Sequence, residues 1–104
     1  MELTVYWTLF AEDKLEDVFS YLIEKAGERT ARRIVNGIVD KSLELETNPF
    51  IGQKEILLAN RSQEFRYLVS KNYKIIYWIN REKARIEILN LFDCRQNPTK
   101  MQEL

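Results

Sequence analysis

Arginine is the residue type in this 104-residue sequence whose chemistry and setting best suit the recognition of an anion. Arg66 lies between Phe65 and Tyr67 in a stretch that alternates like a half-buried strand, so Arg66 and the two rings must point to opposite faces. If the rings face the core, Arg66 points away from it, where its planar guanidinium could bind a phosphate or a partner's carboxylate. Arg95, just past the last predicted strand, could reach the same face. The structural alternatives are a cross-strand ion pair of Arg66 with Glu87 and a local tie of Arg95 to a carboxylate or a backbone carbonyl.

The composition excludes several other chemistries. The sequence has no histidine, so imidazole acid–base catalysis is impossible, and its one cysteine, Cys94, can form neither a Cys–His nucleophile nor a zinc cluster nor an internal disulfide. We expect Cys94 to be a small buried hydrophobe. Three scattered glycines make no phosphate-binding loop, and the carboxylates show no metal-ligand spacing. No metal or cofactor is therefore expected.

Charge is unevenly distributed along a chain whose net charge is zero. Residues 1–60 carry seven basic and eleven acidic side chains, whereas residues 61–104 carry nine basic and five acidic ones. This difference indicates an anionic partner at the C-terminal half, or simply two solvated faces of different composition. A pI near 6.3 argues against a general nucleic-acid binder. We expect one cytoplasmic domain over residues 1–104, because no signal peptide or membrane-length apolar run is visible.

Hydrophobic periodicity predicts the elements that position these residues. A short strand at 3–7 precedes a helix over Leu9–Ala26, which Thr8 caps and Gly27 ends. A second helix runs to about Thr47, and a glycine within it, Gly37, suggests a close approach to the first helix. A turn at 49–52 follows, and then three strands at 65–69, 73–79 and 85–92. Residues 56–58 are predicted as a strand or a tucked loop, and 99–104 as a short helix or a frayed tail.

This order predicts an α+β fold in which an antiparallel helical hairpin packs on one face of a small antiparallel sheet that includes the N-terminal strand. Lys74, Ile76 and Trp78 should share the open face of the central strand, meaning the face away from the helices. Two apolar side chains there require a cover, which could be the C-terminal tail or a partner. We therefore expect these three residues to bind a partner, with Trp78 as the anchor.

The sequence resembles the toxin subunits of the RelE/ParE superfamily of type II bacterial toxin–antitoxin systems. The resemblance extends over nearly the whole chain and rests on the order and spacing of several short motifs. They are Val5-Tyr6-Trp7-Thr8 with Ala11, Asn48-Pro49-Phe50-Ile51-Gly52, Phe65-Arg66-Tyr67-Leu68-Val69, Asn72-Tyr73-Lys74-Ile75-Ile76-Tyr77 and Asp93-Cys94-Arg95-Gln96-Asn97-Pro98. The fold of the superfamily is the one predicted above from periodicity.

The resemblance implies a protein of the plasmid-stabilisation type that arrests growth when free and is neutralised by a cognate antitoxin. RelE-like members cut mRNA on the ribosome without a metal, and ParE-like members inhibit DNA gyrase. In the nuclease interpretation Arg66, Arg95 and Glu55 would form the site, with Glu55 as the base and Lys54 as a possible phosphate contact. However, Cys94 stands where several nuclease members carry a histidine. The sequence therefore favours gyrase inhibition, with ribosome-dependent RNA cleavage and a non-toxic antitoxin-binding remnant as the alternatives.

Overall fold

The computed structural model describes residues 2–55 and 63–95, which form a five-stranded sheet with two helices packed on one face. Strand β1 (Thr4–Trp7) leads into α1 (Leu9–Ala26) and α2 (Glu28–Leu43), and a 3-10 turn (Glu44–Glu46) follows. The remaining strands are β2 (Gln53–Lys54), β3 (Arg66–Ser70), β4 (Tyr73–Asn80) and β5 (Arg85–Asp93). The predicted α+β architecture is confirmed. The stretches 56–58 and 99–104 lie outside the described residues.

Local sequence signals explain the ends of the helices. The Thr8 hydroxyl accepts a hydrogen bond from the Ala11 amide at 3.2 Å and donates one to the Ile88 carbonyl at 2.9 Å, so it caps α1 and fastens it to β5. Gly27 has φ of 89°, a backbone conformation that glycine adopts without a steric penalty, and it separates the two helices. The predicted start and end of α1 are thereby confirmed.

The sheet is mixed, with the strand order β1-β5-β4-β3-β2, so the prediction of an antiparallel sheet is wrong for the N-terminal strand. Strand β1 runs parallel to β5, while the other neighbouring strands are antiparallel. A parallel pair needs a long crossover, and the helical hairpin is part of the chain that connects β1 to β5. The two-residue strand β2 was not predicted, because a segment this short carries no readable alternation.

The core lies between the helices and the sheet. Ala11 and Ile38 from the helices meet Ile75, Tyr77 and Ile88 from the central strands, and all five are fully buried. A smaller cluster on the open face joins Ile76 and Phe92 with the partly buried rings of Phe65 and Tyr67. Strand β4 is thus covered on both faces, as its continuous apolar sequence indicates.

Gly37 does not mark a close approach between the helices, so that expectation is wrong. Among residues 2–55 and 63–95, a Cβ at this position would meet only the Ser70 hydroxyl oxygen, at 3.9 Å, and Ser70 belongs to β3. No packing constraint from α1 therefore explains this glycine.

Candidate functional site

Arg66 lies on the helix-side face of the sheet, not on the open face. It pairs in register with Tyr77, and the next residue on the same face of β3 is Leu68; both belong to the helix-side core. Phe65 and Tyr67 therefore pack on the open face with Ile76 and Phe92. Our expectation was wrong because the sheet is apolar on both faces, and alternation shows that two residues oppose each other without showing which of them faces the helices.

The Arg66 guanidinium is held by two hydrogen-bonding partners and an aromatic ring. Its Nη2 lies 2.7 Å from Glu64 Oε2, and its Nη1 donates to the Gly52 carbonyl at 2.9 Å. The group also lies 5.2 Å from the centre of the Phe50 ring. The predicted pair with Glu87 is not formed; Glu87 instead accepts from Arg85 at 2.8 Å and from Asn80 at 3.0 Å.

Glu64 links Arg66 to the neighbouring strand. Lys54 is the register partner of Arg66 on β2, and its Nζ lies 3.4 Å from Glu64 Oε1. Desolvation would raise the pKa of the Glu64 carboxyl, but the charges and hydrogen bonds of Arg66 and Lys54 outweigh it, so this pKa is lowered. Arg66 and Lys54 are thus both partly neutralised by the same carboxylate.

The turn that leads from α2 into β2 is anchored on a buried tyrosine. Tyr77 is fully buried, and its hydroxyl donates to the Pro49 carbonyl at 2.8 Å and accepts from the Gly52 amide at 3.0 Å. Burial raises the pKa of this hydroxyl, while the Gly52 hydrogen bond and the Arg66 charge oppose the increase. Gly52 must be glycine here, because a Cβ would lie 2.5 Å from the Tyr77 oxygen and 2.7 Å from the Tyr67 carbonyl oxygen.

Glu55 occupies the opposite face of the sheet from Arg66. Its carboxylate is 3% exposed and its Oε2 lies 3.0 Å from Lys74 Nζ, on the open face. Lys74 also lies 4.2 Å from the centre of the Tyr67 ring. The buried Glu55 is therefore engaged in an ion pair on the face of the sheet away from Arg66.

Arg95 lies at another end of the sheet. It binds Asp93 through two hydrogen bonds, Nε to Oδ1 at 2.9 Å and Nη2 to Oδ2 at 2.7 Å, as its structural alternative predicts. This bidentate contact lowers the pKa of Asp93 and raises that of Arg95. Asp93 pairs with Tyr73 and Arg66 pairs with Tyr77. Tyr73 and Tyr77 are four residues apart on β4, so the two arginine sites are separated by roughly 13 Å along this strand.

Cys94 is exposed, so the expectation of a buried thiol is wrong. It follows the last residue of β5, and its backbone amide donates a hydrogen bond to the Asn72 carbonyl at 2.6 Å. Within residues 2–55 and 63–95, no group of histidine, cysteine, aspartate or glutamate residues could hold a metal ion. The same part of the chain contains no helix that is both long and apolar enough to cross a membrane.

Lys74, Ile76 and Trp78 share the open face, as predicted. Ile76 is fully buried beneath its aromatic neighbours and offers no surface for a partner, whereas Trp78 is half-buried. Trp78 stands opposite Glu87 in the register. Burial would raise the pKa of the Glu87 carboxyl, but the hydrogen bonds and charge of Arg85 and the hydrogen bond of Asn80 outweigh it, so this pKa is lowered. Only Trp78 and Lys74 of the three are accessible.

The predicted site residues do not converge on one catalytic site. Arg66 and Lys54 meet at Glu64 on one face, Glu55 meets Lys74 on the other, and Arg95 meets Asp93 at a distant end. The sequence reasoning missed Glu64 and the Tyr77 hydroxyl as the groups that organise this region. A signal for Glu64 was available, since it stands two residues before Arg66 and has the opposite charge.

Solved structures of toxin–antitoxin systems share this fold. A chain of the chromosomal ParDE TA system from P. aeruginosa superposes with a TM-score of 0.73 at 17% identity, covering 88% of this chain and 96% of the other. A chain of the toxin–antitoxin complex RelBE2 from Mycobacterium tuberculosis gives a TM-score of 0.64 at 19% identity, covering 89% and 99%. At these identities the likeness establishes the fold alone.

The sequence establishes the family. Residues 5–98 match the family described as the ParE toxin of type II toxin–antitoxin system, parDE. The match includes every strand and helix except the first residue of β1. Among curated proteins, none matches the chain. The chain belongs to the ParE toxin family, and the predicted membership of the RelE/ParE superfamily is confirmed.

Proposed function

We propose that this protein arrests growth by inhibiting DNA gyrase through surface contacts and that a cognate antitoxin neutralises it in the cytoplasm. The observation that carries the proposal is the dispersal of the candidate catalytic groups. Metal-free RNA cleavage needs a base, cations and a proton donor around one phosphate. Here the cations and the candidate base lie on two faces and at two ends of the sheet, and each is bound to a group of opposite charge.

The antitoxin is proposed to contact the open face around Trp78. This side chain is large and half-buried, and the partly exposed Lys74 and the 45% exposed Val69 lie further along the same face. Tryptophan is a frequent anchor in protein interfaces because it buries a large area with few rotatable bonds. Ile76 supports this surface from beneath rather than contacting the partner.

Two assays with purified protein test the target. The first measures gyrase supercoiling with and without the antitoxin; we expect inhibition by the free protein and recovery when the antitoxin is added. The second maps mRNA 5′ ends in a bacterial translation reaction, for wild type and Arg66→Ala; we expect no new ends in either.

New mRNA ends within codons, present with wild type and lost with Arg66→Ala, would instead indicate a ribosome-dependent nuclease whose activity depends on Arg66. A folded protein that binds the antitoxin and affects neither gyrase nor mRNA would be the non-toxic remnant. Circular dichroism and antitoxin titration of wild type and Arg66→Ala provide the control for folding.

A further inference from the structure

Two large apolar side chains project into solvent from the turn before β2. Phe50 is 54% exposed and Ile51 is 50% exposed. The backbone beneath them is fixed, because the Ile51 amide donates to the Asn48 carbonyl at 3.2 Å and the flanking Pro49 and Gly52 are bound to Tyr77. Side chains presented on a fixed backbone lose little conformational entropy on binding, so the turn is suited to recognition.

Positive charge borders this apolar pair. The Arg66 guanidinium lies 5.2 Å and the Arg81 guanidinium 5.7 Å from the centre of the Phe50 ring. Arg66 is already bound to Glu64, but Arg81, in the turn between β4 and β5, makes no ion pair with any residue in 2–55 or 63–95. A complementary surface would therefore be an apolar pocket with carboxylates at its rim.

The geometry points to Phe50 and Ile51, bordered by Arg81, as the surface that binds the toxin's protein target, which under the proposed function is DNA gyrase. A folded protein fits better than RNA, because two exposed apolar side chains form the centre of this surface, and the Glu64 carboxylate between Arg66 and Lys54 would repel a phosphate there. It also fits better than a lipid surface, which takes up a broader apolar face than two side chains provide. This assignment rests on the proposed function and places target binding on a different surface from the open face around Trp78.

The test measures binding of purified gyrase to wild type, Phe50→Ala and Arg81→Glu by surface plasmon resonance. The molecule provides a matched control in Phe10, which is also 54% exposed and lies 5.9 Å from a cation, Lys14. We expect Phe50→Ala and Arg81→Glu each to weaken gyrase binding about tenfold or more, as at an interface hot spot. Phe10→Ala should bind like wild type, and all three variants should bind the antitoxin like wild type.

Each other outcome contradicts the assignment in a recognisable way. Wild type that binds gyrase with Phe50→Ala and Arg81→Glu unimpaired would overturn this surface and leave the proposed function standing. Wild type that does not bind gyrase would overturn both. Phe50→Ala could instead keep gyrase binding and lose antitoxin binding, RNA binding or self-association. That result would show that the surface binds the antitoxin, RNA or a second copy of the chain.

Discussion

Removing one buried hydroxyl should substantially destabilise the protein. The fully buried Tyr77 hydroxyl donates a hydrogen bond to the Pro49 carbonyl and accepts one from the Gly52 amide. Tyr77→Phe therefore leaves the buried Gly52 N–H without this acceptor. An unsatisfied buried donor costs about 1–3 kcal/mol, and the second lost hydrogen bond adds about 1 kcal/mol. We therefore expect the free energy of unfolding to fall by about 2–4 kcal/mol. With a urea m-value of about 1–3 kcal/mol per molar, the midpoint should move down by roughly 0.7 M or more.

The control is Tyr67→Phe, which removes the same atom from an exposed setting. Its hydroxyl donates to Gln53 Oε1 at 2.9 Å where water can replace the partner. We expect a change within about 0.5 kcal/mol. Equal destabilisation by the two substitutions, or a Tyr77→Phe midpoint close to that of wild type, would refute the view that the turn is held through this hydroxyl.

Three further results are expected. Gly52→Ala should destabilise by about 1–3 kcal/mol because its Cβ overlaps the Tyr77 oxygen, whereas Gly37→Ala should stabilise by up to about 1 kcal/mol because its site is open; urea unfolding compares the two. Trp78→Ala should weaken antitoxin binding about tenfold in calorimetry without loss of helical circular dichroism, and unchanged affinity would remove Trp78 from that interface. Stability should fall as the pH drops below the ordinary aspartate pKa of 3.8, since Arg95 lowers the folded-state pKa of Asp93 and the stabilisation is lost on protonation. Asp93→Asn should make the pH profile of the thermal midpoint flatter in this acidic range, and an unchanged slope would contradict this.

The helices and the three long strands could be predicted from the sequence because their patterns repeat over many residues. The 3.6-residue period gives α1 its bounds once Thr8 and Gly27 mark its ends. Strand β2 could not be predicted, since its two residues carry no period and its pairing with β3 is a tertiary contact. The direction of β1 also depends on tertiary packing, because a strand pattern is the same in a parallel and an antiparallel pair.

The candidate site was predicted less well, for a related physical reason. Alternation correctly predicts that Arg66 and its aromatic neighbours point to opposite faces of the sheet. It does not show that the aromatic rings pack in the second apolar cluster, on the open face. The preference of Phe65 and Tyr67 for that core over the helix-side one depends on Ile76 and Phe92, which are distant in sequence. The exposure of Cys94 likewise follows from where the sheet ends, which no single residue type indicates.

The contacts of Arg66 show why substitution of this residue alone cannot assign its role. Because Arg66 holds the Gly52 carbonyl and lies against Phe50, Arg66→Ala would disturb the turn and the proposed target surface as well as any phosphate site. Glu64→Gln separates the two roles, since it removes the charge that neutralises the guanidinium without removing the guanidinium itself. A catalytic Arg66 would then be freer to bind phosphate, and RNA cleavage would persist or increase. An Arg66 that supports the turn would lose its ion pair and keep only the hydrogen bond to the Gly52 carbonyl, and gyrase inhibition would fall in Glu64→Gln, as we also expect for Arg66→Ala.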